Sequence, residues 1–121
     1  MMGELDRAIE LYNQSIDIEP TAQAYTFLGW AYSMKKDYDR AIELCKKAIE
    51  IDPDFGNPYN DIGAYLIEQG KFEEAIPWLY KAINAPTTNP RHYPHINLAR
   101  AYMMLGRLDL ALGAGRELPL K

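Results

Sequence analysis

His92 and His95 stand at i and i+3, a spacing at which two imidazoles reach one face of a helix start and could share a metal ion. Two ligands do not complete a site, and no carboxylate or thiol lies close in sequence to add to them. Tyr25 and Tyr59 fall in the column that His95 occupies in the periodic pattern set out below, so packing is expected of this position and no metal or cofactor. The single cysteine, Cys45, cannot form an internal disulfide. It lies in an apolar helical column and reads as a small buried hydrophobe. Asp17 and Glu50 fall on solvated helix faces. The chain has no phosphate-cradling glycine loop, no H-E-x-x-H and no nucleophile paired with a base, so no enzyme is expected. What remains is the chemistry of contact: the indole of Trp30, and the amides of Asn60 and Asn97, which donate and accept at once.

Composition narrows the partners. At 121 residues, with 48% apolar and 25% charged side chains, the chain suits one domain or a short repeat array. A net charge of −4 without runs of like charge lacks the basic footprint of a nucleic-acid binder, so no nucleic acid is expected. MMGELDRAIE is acidic and amphipathic, unlike a signal peptide, and no apolar stretch approaches membrane-spanning length. A soluble cytoplasmic protein without a membrane partner is the expectation.

These residues must be positioned by helices, because small and apolar residues recur at near-constant spacing. Ala8, Ala41, Ala75 and Ala111 are 33, 34 and 36 residues apart. Leu5, Tyr38, Phe72 and Leu108 precede them by three, and Ile9, Ile42, Ile76 and Leu112 follow directly. An earlier helix in each unit supplies Leu28, Ile62 and Leu98, then Gly29, Gly63 and Ala99, then Tyr32, Leu66 and Tyr102. Small residues in the middle column allow two helices to approach closely. The segment YTFLGWAYSMKKDYDRAIELCKKAIEIDP, with Leu28-Gly29, Tyr32, Ala41 and Pro53, resembles the tetratricopeptide repeat, a helix-turn-helix unit of 34 residues. Tyr25 replaces the family's Trp and Cys45 its Phe. The resemblance implies an all-α, right-handed superhelical solenoid of antiparallel hairpins, with about seven helices.

Taken in order, 1–20 reads as a half unit, 21–54 and 55–91 as units, and 92–121 as a terminal unit. The array is expected to open in mid-unit at a turn at Gly3-Glu4, with the first helix absent and Leu5 to about Asp17 a second-type helix striped by Ile9, Tyr12 and Ile16. Thr21 should cap the next helix, Ala22 to Met34, followed by Tyr38 to Ile51 with a Glu43–Lys47 ion pair. Gly56 to Glu68 and Phe72 to Ala85 follow, joined at Gln69-Gly70, where Lys36 holds the place of Gly70 in the preceding copy. Pro77, inside a helix, should bend it at a cost of about 3 kcal/mol. The loop 86–91, two residues longer than the pattern, should tilt the last unit. His92 to Met104 and Leu108 onward complete the array, with fraying after about Arg116. The weak last helix and the absent first one imply a piece of a longer array, or ends covered by another chain.

In the family, first-type helices line a concave groove for peptides, and the resemblance implies the same here. The groove set is Gln23, Thr26, Phe27, Trp30, Ser33 and Met34; Asn57, Asn60, Asp61, Ala64, Ile67 and Glu68; and Tyr93, Ile96, Asn97, Arg100, Met103 and Met104. Trp30, one residue beyond the Leu28-Gly29 pair, should face the groove as an anchor, the alternative being that it and Phe27 pack between first-type helices. Asn60 and Asn97 suit holding a peptide backbone. One subgroup of the family clamps C-terminal carboxylates, but the matching places here hold Thr26, Trp30, Asp61, Tyr93 and Asn97. Only Asn97 fits, and Asp61 would repel the ligand. An apolar segment with a basic residue near Asp61 or Glu68 is the better expectation. The reading is therefore a non-catalytic scaffold that binds a protein or peptide. The alternative is a homo-oligomer stacked end to end through Ile9, Tyr12 and Ile16 at one end and Leu112 and Leu118 at the other.

Overall fold

Each first-type helix has its start written locally. Thr21 accepts a hydrogen bond from the Ala24 amide at 3.1 Å, and Asp37 caps the following helix through the Arg40 amide at 3.2 Å. Pro58 and Pro94 stand in the first turns of two later helices, where a missing N–H costs nothing. In the computed structural model, which describes residues 2–116, the chain forms α1 (Met2–Ile18), α2 (Ala22–Met34), α3 (Tyr38–Ile51), α4 (Asn57–Glu68), α5 (Phe72–Asn84), α6 (Tyr93–Met104) and α7 (Leu108–Arg116). The described residues contain no strand, only one isolated bridge between Phe55 and Thr87.

The turn inside each hairpin is the same object three times. Lys36, Gly70 and Gly106 take positive φ of 66°, 78° and 75°. The following residue then donates its amide back across the helix end: Asp37 to Tyr32, Lys71 to Leu66 and Arg107 to Tyr102, at 2.8–3.0 Å. Helices pack as consecutive pairs, α2 with α3, α4 with α5 and α6 with α7. α4 also touches α2 and α6, which makes a one-dimensional stack. The alanine column lies at the pair interfaces: Ala41 and Ala75 are inaccessible and Ala111 is buried. Leu28, Ile62 and Leu98 are buried opposite. A methyl group at Gly29 would sit 3.0 Å from the Ala41 carbonyl oxygen, and one at Gly63 would overlap Leu79, so the middle column abuts the companion helix.

Several expectations change. Gly3-Glu4 is not a turn: α1 is helical from Met2, Gly3 has open space around it, and Glu4 in the first turn suits the positive end of the helix. Ile9, Tyr12 and Ile16 are half-buried because α1 packs on α2. Glu43 and Lys47 form no ion pair among the described residues, since an exposed pair gains too little to hold two long side chains. Pro77 lies inside α5, which is helical on both sides of it. The predicted fraying beyond Arg116, and Leu118, lie outside the described residues.

The loop 86–91 is not a loose spacer. Gly56 donates its amide to the Thr87 carbonyl and Thr87 donates to Asp54 at 3.2 Å. Asn57 and Asn89 exchange two bonds of 2.9 Å, and the buried Thr88 hydroxyl donates to the Ala82 carbonyl at 2.7 Å. Two successive inter-unit connections are thus knitted together beside the start of α4.

Candidate functional site

On α2, Gln23, Phe27, Trp30 and Met34 recur at helical spacing along one exposed stripe, while Leu28, Gly29 and Ala31 on the opposite side are buried. Trp30 remains 46% exposed and Phe27 53%. On α6, Tyr93, Ile96, Arg100, Met103 and Met104 are exposed and Asn97 is half-buried. Between them, α4 is flanked on both sides and shows less: Asn57, Asp61 and Ala64 are half-buried and Glu68 is exposed.

Three residues placed on the groove by sequence are buried instead. The Thr26 hydroxyl donates to its own helix at the Ala22 carbonyl, 2.8 Å away, and Ile67 joins the core. Asn60 accepts from the Asn97 side-chain amide at 2.9 Å, and Arg100 in turn donates to Asn97 at 3.2 Å and to Glu68 at 3.1 Å. The two asparagines therefore bond to each other across α4 and α6. Glu68 already has its counter-ion. Ser33, half-buried, donates to the Trp30 carbonyl at 2.6 Å.

The exposed stripe of α2 borders a cleft of about 360 Å³, near the lower end of the range typical of ligand pockets. Its lining joins Tyr12 from α1, Gln23, Thr26, Phe27 and Trp30 from α2, Phe55 from the α3–α4 connection, and Asn57 and Asp61 from α4. The Tyr12 ring stacks on Phe27 with centroids 5.8 Å apart. Tyr12 and Phe55 were not among the residues that sequence pointed to as site residues. Tyr12 had a signal, its place on the apolar stripe of α1. Phe55 lies between helices in no repeated column, and nothing marked it. A second cleft, beside α6, is lined by Ile67, Glu68, Phe72, Arg100, Met103 and Met104.

Asp61 is the charged group of the larger cleft. No lysine or arginine among the described residues pairs with it. Burial raises its carboxyl to about 7, and a hydrogen bond from Asn60 opposes the rise. Behind it lie two titratable groups, the inaccessible Cys45 of α3 and the buried Tyr65 of α4. Burial first, and the charge of Asp61 second, push both up, so neither ionises near neutral pH. The cleft can offer a carboxyl group whose ionisation burial holds back, framed by aromatic rings.

The histidines lie apart from it. His92 precedes the first turn of α6 without a side-chain capping bond, its ring edge-on to Tyr93 with 4.9 Å between centroids, and His95 is half-buried. Among the described residues no three His, Cys, Asp or Glu side chains come together as metal ligands, and no helix is long and apolar enough to cross a membrane.

Comparison with known proteins adds a family pattern and solved folds. The tetratricopeptide repeat pattern matches residues 22–55 and, in a second form, 44–76. None of the curated proteins matches the chain. Among solved structures, "MamA MSR-1 C2" is 30% identical, aligns over 95% of this chain and 66% of its own, and superposes with a TM-score of 0.73. "MamA AMB-1 C2221" is 30% identical over 95% of this chain and 67% of its own, with a TM-score of 0.71. "Crystal structure of MamA", 24% identical with a TM-score of 0.80, supports the fold alone. The chain spans about two thirds of the length of these proteins.

Proposed function

This chain belongs to the tetratricopeptide repeat family, whose members are generally non-catalytic interaction scaffolds, and we propose that its first-type helices α2, α4 and α6 receive a segment of a partner protein. The observation that carries this reading is the exposed apolar stripe of α2. Phe27, Trp30 and Met34 stay open to solvent beside a formed cleft, while the other face of the same helix is closed against α3. Aromatic and methionine side chains give large, adaptable contact area. The α6 stripe of Tyr93, Ile96, Met103 and Met104 continues the surface beyond α4. Gln23, Asn57, Asp61, Ala64, Glu68, Asn97 and Arg100 supply its polar and small remainder. Thr26, Asn60 and Ile67 support it from within.

Selection of peptides from a displayed library on the wild-type protein, with the hits re-measured on Trp30→Ala, tests the proposal. Truncation is expected to weaken them by at least about 1 kcal/mol while leaving the melting temperature nearly unchanged. Unchanged affinity together with lost stability would assign Trp30 to the core.

A second reading, association of copies through α7, is supported by the exposure of Leu108 and Leu112. It is weakened at the other end, where α2 already takes up part of the α1 stripe. Light scattering across a concentration series separates the two, because a chain that stays monomeric when concentrated has no use for such contacts.

A further inference from the structure

We infer that the cleft beside α2 is a subsite for a cationic side chain: it takes the ammonium or guanidinium end of a lysine or arginine on the bound protein segment, with Asp61 as counter-ion and Tyr12, Phe27, Trp30 and Phe55 as walls. The inference rests on the reading that the partner is a protein segment lying along α2.

Charge complementarity fixes the choice of occupant. Two carboxylates were candidates to meet a basic residue on this face, and the structure separates them. Glu68 is held by Arg100 at 3.1 Å and Asp61 by no cation among the described residues. A carboxylate drawn into an apolar-walled cleft without a counter-ion is costly, and an incoming cation relieves that cost. Aromatic faces attract the same ligand through their quadrupoles, and four aromatic residues line this one small cleft. The protein already makes such contacts elsewhere, with Arg40 5.1 Å from the Tyr32 ring and Lys81 4.7 Å from that of Trp78. An anionic tail would meet Asp61, and a purely apolar side chain would leave its charge unmatched.

The chain, at 13.8 kDa, suits two-dimensional amide NMR. The 121-residue chain is titrated at pH 8 with n-butylammonium and n-butylguanidinium chlorides, and in parallel with 1-pentanol and with sodium chloride at matched ionic strength. The expected result is saturable shifts of the Trp30 indole and Asp61 amide signals with the two cations. Sodium chloride should give none, and Asp61→Asn should bind the cations about tenfold or more weakly while binding pentanol as before. Equal binding of pentanol and the cations, or equal cation binding by Asp61→Asn, overturns the cation subsite and leaves the apolar groove standing. Absence of saturable shifts with every organic probe overturns the subsite as well. Failure of the peptide selection above, by contrast, strikes at the groove itself.

Discussion

Asp61 carries a cost that can be read as stability. Its carboxyl titrates near 7 in the folded chain against an ordinary value of 3.8, so between those values the folded state holds a proton that the unfolded state has lost. Stability therefore falls as pH rises from about 4 to 7 and levels off above it. Asp61→Asn removes that dependence, because a neutral amide of the same shape has no charge to desolvate. We expect the variant to match the wild type near pH 4 and to be more stable at pH 8 by at most about 4 kcal/mol, the full value of the shift, which water reaching the half-buried carboxylate reduces, checked by urea melts at both pH values. A variant less stable at pH 8 would mean that the carboxylate is well served where it sits. Neighbours constrain the reading, since Cys45 and Tyr65 stay protonated throughout and contribute no slope in this range.

Helix by helix, the chain was largely legible before its structure, and where it was not the reasons are physical. Columns such as Ala41 and Ala75, or Leu28, Ile62 and Leu98, recur because each unit repeats the same interface, so period located α2 to α7, whereas at the start of the chain, with no preceding copy to compare, it misplaced a turn at Gly3-Glu4 inside α1. The bonds between Asn60 and Asn97, the loop contact of Thr88 and the wall formed by Phe55 depend on how one unit meets the next at non-repeating positions. Periodicity carries no information there. The turns themselves yield a test. Lys36 adopts φ 66° at the place where the next two hairpins use glycine, and a side chain in the left-handed region costs about 1–2 kcal/mol. Lys36→Gly should raise stability by about 0.5–1 kcal/mol, net of the extra freedom that glycine gives the unfolded chain, measurable as a higher denaturant midpoint. A lowered midpoint would mean that the lysine side chain makes a contact worth more than the backbone cost.

Across the whole stack, each helix pair leans only on its neighbours, so protection should vary along the array rather than be uniform. The continuous buried cluster is densest where Ile62, Tyr65, Leu66 and Ile67 of α4 meet Ala75 and Leu79 of α5 and Leu98 and Ala101 of α6. Amide hydrogen exchange should therefore be slowest in α4 and α5 and fastest in α1 and in α7, whose Leu108 and Leu112 are exposed. Uniform exchange from α1 to α7 would mean that the array unfolds as one cooperative block.

The stitching of residues 54–57 to 87–89 bears on how a guest chain would be chosen if the first-type helices receive one as proposed. Because Asn57 and Asn89 hold each other by two bonds, and Thr88 is anchored to the end of α5, the connection between successive hairpins is fastened by the chain itself. Under the proposed function, a visiting segment would find an aperture already cut to width, would lose little free energy in setting it, and would be sorted by its girth as much as by its charge.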